Sequence, residues 1–254
     1  MKISLIQFDI VSNNPEANLV SIEKMISDLP MCDLIILPES FNTGFLPGDT
    51  AKAVESANET LLWMRGIASE RGCAVCGGLL EGEGDKVFNR LYFITPDGEK
   101  QIYNKRHLFL GDEKECITQG SMRVVVPYKD WRINLQICYD LRFPVWSRNR
   151  NDYDLLIYAA NWPEPRREVW KTLLKARAIE NQCYVAGVNR IGTDREGIRY
   201  AGDSVIIDPY GREVLALTPN EETCGTLSLD KDKLESFRKK FPVWLDRDEF
   251  TIIT

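Results

Sequence analysis

The sequence predicts an α/β fold built on a mixed sheet, and three of its features carry that expectation. Short apolar runs with the length of strands recur along the chain, and several are continuous rather than alternating, as suits strands covered on both faces. Between some of them lie stretches with apolar residues at helical spacing. Turn signals at Asp97-Gly98 and Tyr210-Gly211, each between strand-like flanks, mark hairpins, so the sheet is not purely parallel.

Taken in order, "KISLIQFDI" reads as the first strand. Asn14 is then a candidate N-cap and Pro15 a first-turn residue for a helix over 15–29, with Leu19, Ile22, Met25 and Ile26 on one stripe. "CDLIILPES" is a second strand, a helix is expected over 58–71, and "CAVCGGLLE" and "RLYFIT" are strands leading to the first hairpin turn. In "WRINLQICYD", Ile133, Leu135 and Ile137 alternate with Asn134, Gln136 and Cys138, which places Cys138 opposite the isoleucine face. Pro144 then opens a short helix, "PVWSRN", so a thiol lies where a strand turns into a helix. "DLLIYAANW" is followed by a helix over 166–182 that carries Val169, Leu173, Ala176 and Ile179 on one face. "CYVAGVN" and "DSVIIDP" close the strand series before the second turn. From Lys231 the tail is a charged helix ending in Phe241, Trp244 and Phe250; leaving these exposed is costly for a monomer, so residues from about 231 to 254 are expected to pack on a second subunit.

The 254 residues contain no Gly-, Ser- or Pro-rich linker, low-complexity segment or tandem repeat, so a single domain over 1–254 is expected. A net charge of −6 argues against a broad phosphate-binding surface, and hence against nucleic acid. No run reaches the ~18 apolar residues of a membrane helix. The start lacks a small-residue cleavage site, so a cytoplasmic protein is expected. Seven cysteines, an odd number scattered mostly in apolar runs, are read as small core residues. Cys73 and Cys76 form a C-x-x-C, but with no second pair for zinc and no helix after it.

Cys138 is the residue most suited to chemistry. Strand ends of open α/β sheets are where ligands bind, and a free thiol is only about 3% thiolate at neutral pH, so a nucleophile there needs a base or a cation. His107 in "YNKRHLF" is one candidate. A second pairing is open: Glu39, set after the apolar "LIILP", can accept the thiol proton, and Lys105 can hold an oxyanion.

Glu39 in "LPESFNTGF", Lys105 in "YNKRHLF" and Cys138 in "ICYDLRFP" resemble, in order and spacing, the Glu-Lys-Cys triad of the carbon-nitrogen hydrolase (nitrilase) superfamily. The likeness runs over nearly the whole chain. "CYDLRFP", "ANWPEPR", "ARAIENQCYVAGVNR" and "GDSVIIDPYGR" are similar to bacterial omega-amidases that hydrolyse 2-oxoglutaramate. The resemblance implies a four-layer α-β-β-α sandwich with mixed sheets, a homodimer or higher homo-oligomer, no metal and no cofactor. It implies that Glu39 is the base, Cys138 the nucleophile, and Lys105 with the backbone N–H of Tyr139 the oxyanion site. Glu113 or Glu115 supplies an auxiliary carboxylate, with the spacing to Gly120 favouring Glu113. The small-molecule amide substrate would carry a distal carboxylate. Arg142 is a candidate to bind it, unless it pairs with Asp140, and Arg166 is a second candidate. Phe41, Asn161 and Trp162 are expected as pocket walls. Deaminated-glutathione amidase activity is the near alternative, and a catalytically silent binding or assembly protein is the alternative of another class.

Overall fold

In the computed structural model, which describes residues 1–253, the first half of the chain builds one sheet. Its elements are β1 (Lys2–Gln7), α1 (Pro15–Ser27), β2 (Leu34–Ile36), α2 (Ala51–Arg71), β3 (Ala74–Glu83), β4 (Lys86–Ile94) and β5 (Lys100–Asn104). A short α3 (Asp112–Cys116) leads to the second half, comprising β6 (Val125–Tyr128), β7 (Trp131–Ile137), α4 (Pro144–Ser147), β8 (Leu155–Ala160), α5 (Arg167–Asn181) and β9 (Tyr184–Asn189). A hairpin of β10 (Ile191–Thr193) and β11 (Arg199–Ala201) follows, then β12 (Val205–Ile207), β13 (Glu213–Ala216), β14 (Thr223–Ser228) and α6 (Lys231–Lys240).

Two six-stranded sheets result, ordered β14-β1-β2-β3-β4-β5 and β13-β12-β9-β8-β7-β6. In each, the three strands linked by helical crossovers are parallel (β1, β2, β3 and β7, β8, β9) and the flanking strands are antiparallel. Register places Ile3, Leu34 and Ala74, then Leu5, Ile36 and Cys76, side by side. These residues join Leu135, Ile157 and Val185 of the other sheet in one apolar cluster that extends to Trp170 and Leu174 of α5. The opposite face of the first sheet, with Ile35, Leu37 and Val75, packs against Ile22, Ile26, Met64 and Ile67 of α1 and α2. This is the four-layer α-β-β-α sandwich with mixed sheets. No described helix is long and apolar enough to cross a membrane.

Both expected turns form. Gly98 and Gly211 sit at φ +85° and +82°, and the flanking strands pair antiparallel. Asn14 caps α1 by accepting from Ala17 N. The second helix begins at Ala51 rather than 58, because its early buried face is made of small residues, Ala53, Ser56, Ala57 and Thr60, which carry no bulky apolar signal. Cysteines 32, 73, 76, 138 and 183 are buried, whereas Cys116 is exposed and Cys224 half-buried. In the tail, Phe241 is exposed, but Trp244 is half-buried, and Phe250 is half-buried with the Arg150 guanidinium 5.2 Å from its ring centre.

The tail helix is tied to the second sheet through one buried carboxylate. Asp154 receives Arg132 and Arg238 at 2.7 Å and Lys231 at 2.6 Å. Burial pushes this carboxyl up, but the hydrogen bonds and charges of Arg132 and Lys231 outweigh it and hold Asp154 well below the ordinary range. Asp154→Asn should therefore destabilise the protein by about 2–4 kcal/mol at pH 7, below the full cost of a broken buried pair because Arg132 is partly exposed. A depressed carboxylate stabilises above its unfolded value and loses that contribution as pH falls through its folded value. The melting temperatures of variant and wild type should thus converge below the ordinary aspartate value of 3.8. A gap that already closes between pH 7 and pH 5, above that value, would contradict this account.

Candidate active site

Four polypeptide segments converge at the C-terminal ends of β2 and β8. Beyond β2, Leu37 and Pro38 lead to Glu39, and Ser40 turns the chain at φ +45°. The loop crosses β3 at Gly78, where an added Cβ would come within 2.7 Å of the Glu39 Cα, so only glycine allows the approach. Phe41 N donates to Gly78 O at 3.2 Å and Gly78 N to Pro38 O at 3.1 Å, which locks the crossing. Glu39 is fully buried there.

Lys105 follows β5 and is equally buried. Its Nζ lies 2.9 Å from Glu39 and 2.9 Å from Glu113 of α3. Phe109 N also donates to Glu113 at 2.6 Å. Glu115, by contrast, is exposed. Burial tends to strip Lys105 of its proton, but Glu113, Glu39 and Cys138 around it more than reverse this and hold it as an ammonium. Burial first, and the neighbouring Glu39 charge, push Glu113 up against the pull of Lys105.

β7 stops at Ile137, and Cys138 opens a 3-10 turn over Cys138–Arg142 with φ +42°. Its orientation is therefore set by a left-handed residue and not by the strand alternation expected from "INLQIC"; Asn134 and Gln136, on that alternate phase, are themselves buried and bonded to each other. The Cys138 thiol donates to Asn161 O at 3.7 Å. Asn161 N in turn donates to Glu39 Oε2 at 2.9 Å, and Asn161 Nδ2 to Glu39 O at 2.6 Å. The residue expected as a pocket wall thus bridges the thiol and the carboxylate from the end of β8. Burial, then the charge of Glu39, raise the Cys138 thiol well above its ordinary value, with Lys105 opposing them, so the resting sulfur is a neutral thiol.

The sequence pattern of the carbon-nitrogen hydrolase family matches residues 2–239. This chain belongs to the carbon-nitrogen hydrolase family. It is 41% identical to omega-amidase YafV of Escherichia coli over 99% of this chain and 98% of that protein. With a 2-oxoglutaramate amidase of Bacillus subtilis it shares 35% identity over 96% of each. A crystal structure of a CN-hydrolase superfamily protein of Xanthomonas campestris, described as having an arsenic adduct in the active site, superposes with a TM-score of 0.94 at 40% identity, covering 99% of this chain and 98% of that one.

Around this carbon-nitrogen hydrolase centre the other expected residues fall into three groups. Phe41, expected as a pocket wall, is buried on the helix side of the first sheet, its ring 6.0 Å from Trp63 of α2. The half-buried Phe45, whose ring centre is 5.0 Å from Lys105 Nζ, stands beside the charged groups instead. Phe45 carries no signal in the sequence, because it lies in a loop whose course follows the positive φ at Ser40. His107 is engaged elsewhere, with Nδ1 2.8 Å from Asp140 and its ring stacked 3.7 Å from Phe143.

Asp140 is occupied by Tyr103, His107 and the backbone of Ile137, so the alternative for Arg142, an ion pair with Asp140, does not form. Arg142 is exposed, its guanidinium 5.2 Å over the buried Trp162, and Arg166 is likewise exposed 5.2 Å over Phe109. Phe109 meets the ring of Tyr139 edge-on at 5.2 Å, which connects this rim to the residue after the thiol. Neither arginine side chain has a hydrogen bond or ion pair to a described residue. The sequence reading also overlooked Asn89, whose Nδ2 contacts both Glu39 and Glu113. Its signal was present as a lone asparagine at the start of the apolar "NRLYFI".

Proposed function

We propose that this carbon-nitrogen hydrolase is an omega-amidase that converts 2-oxoglutaramate or 2-oxosuccinamate to the 2-oxo dicarboxylate and ammonia. The observation that carries the reading is the continuous buried network from the Cys138 thiol through Asn161 to Glu39, Lys105 and Glu113. A neutral thiol needs a base at the moment of attack, and Glu39 is the carboxylate joined to it. Glu39 takes the S–H proton as Sγ bonds to the amide carbon, and the carbonyl π electrons move to oxygen. That oxyanion is stabilised by the Lys105 ammonium and by the N–H of Tyr139, which lies in the first turn of the 3-10 segment where no intrahelical acceptor exists. Collapse breaks the C–N bond, and Glu39 returns its proton to the leaving nitrogen, giving ammonia and a thioester. Water then loses a proton to Glu39 and attacks the thioester; the C–S bond breaks and the thiolate recovers the proton. Glu113 orients Lys105 and helps position the water.

Arg142, with Arg166 as a second candidate, receives the distal carboxylate of the substrate. Both have an aromatic ring under one face and in-plane N–H groups without a partner among the described residues, which suits a planar carboxylate. Arg142→Met is expected to raise KM for 2-oxoglutaramate about tenfold, the lower range for a charged hydrogen bond because the site is exposed, with kcat little changed. An unchanged KM would remove Arg142 from substrate recognition. The enzyme works in the cytoplasm as a homodimer or larger homo-oligomer, a reading supported by exposed Phe241 and Leu245 in the tail and tested by sedimentation of the purified chain.

The deciding experiment compares ammonia release from 2-oxoglutaramate, 2-oxosuccinamate, deaminated glutathione and a simple nitrile. The first two should have the highest kcat/KM. Preference for deaminated glutathione would transfer the chain to that amidase group, and no release from any amide would leave a binding protein.

A further inference from the structure

We propose that Asn89 is a positioning residue that clamps the two carboxylates of the centre onto one ammonium, a role that rests on the amidase reading above. Asn89 lies on β4 and is fully buried. Its Nδ2 carries two hydrogens and has two acceptors, Glu39 Oε1 at 2.8 Å and Glu113 Oε1 at 3.1 Å. Its main-chain oxygen accepts from Lys105 N at 2.9 Å. One residue therefore touches all three charged members of the site, the two anions through its side chain and the cation through its backbone.

The amide orientation follows from its neighbours. Two carboxylate oxygens facing Oδ1 would be repelled, whereas both are acceptors for the NH₂ group. Oδ1, on the other side, is buried and has no hydrogen-bond partner among the described residues. Leaving an acceptor unpaired costs about 1–3 kcal/mol, so the side chain is held in place by what Nδ2 does.

The physical need is clear. Glu39 and Glu113 are like charges that share Lys105, and each could draw the ammonium toward itself or take up a proton to relieve the repulsion. A neutral donor between them lowers the repulsion without adding a competing cation. A lysine or arginine there would hold Glu39 too strongly as an anion for it to carry a proton through the cycle. The register of the sheet supports the arrangement, since Leu80 of β3 is paired with Asn89 two residues beyond Gly78, where the Glu39 loop crosses.

The test uses any amide that the wild type hydrolyses, so the identity of the best substrate does not affect it; a wild type inactive on every amide defeats the amidase reading instead. Asn89→Leu keeps the volume and removes both donors, Asn89→Ser shortens the side chain, and Asn89→Gln retains the amide. Asn89→Leu and Asn89→Ser are expected to lower kcat at least tenfold, with KM within twofold. The acid limb of kcat/KM should move to higher pH, because a carboxylate that loses a donor is protonated more readily. Asn89→Gln should bring the limb back toward its wild-type position. A merely structural asparagine would lower melting temperature and active fraction without moving the limb. A limb that stays in place in any folded variant lacking the amide overturns the proposal, and so does failure of all three variants to fold, which would make Asn89 a folding residue.

Discussion

Cys138→Ala is expected to reduce ammonia release by about 10⁴-fold or more, the scale on which enzymes lose turnover when a covalent nucleophile is removed. The fold should survive. The substitution removes one sulfur at the end of a strand, and alanine tolerates the φ of +42° no worse than cysteine, so the melting midpoint should move by no more than about 1–2 kcal/mol of stability. The two measurements belong together, because lost activity in an unfolded variant would say nothing about chemistry. A complementary reading comes from acid-quenched wild type, in which mass spectrometry should find the substrate acyl group on the peptide containing Cys138. A folded Cys138→Ala that still turns over amide at even one percent of the wild-type rate would place the nucleophile elsewhere.

The second large effect concerns Lys105. In Lys105→Met an oxyanion donor is lost, which costs about 10²–10³ in kcat. Two buried carboxylates also lose their shared counter-charge, and removing one partner of a buried ion pair costs about 3–5 kcal/mol. The protein can recover part of this by binding a proton between Glu39 and Glu113. The folded state then holds more protons than the unfolded chain at neutral pH, so stability must rise as pH is lowered toward the ordinary glutamate value. Lys105→Met should accordingly melt at a higher temperature at pH 5 than at pH 8, by a margin the wild type does not share. Equal melting behaviour of the two proteins across that range would mean that Lys105 does not neutralise the pair.

The chemistry-bearing residues could be picked out of the chain because each interrupts a pattern. Glu39 follows five apolar positions, Lys105 follows a hairpin strand, and Cys138 ends an apolar run just before a proline-led turn. Local rules also placed the two hairpins and the capped first helix. The misreadings came where a local rule stopped applying. Alternation along "INLQIC" predicts the orientation of Cys138, yet Cys138 has a positive φ, and at such a residue the side chain no longer follows the phase of the preceding strand. The start of α2 was placed late because small residues bury themselves without registering as apolar.

Read alone, the sequence determined the α/β class, the crossover helices, the three segments from which the reactive groups come, and the kinship that links them. The tertiary structure decided how those groups meet. It set Asn161 between thiol and carboxylate, Asn89 between two glutamates, and Phe45 beside the ammonium. The reason is one of range. Propensity and periodicity act over a few residues, whereas a contact such as Asn161 to Glu39 spans 122 positions and exists only because two separately formed sheets bury their apolar faces together and bring their strand ends into register.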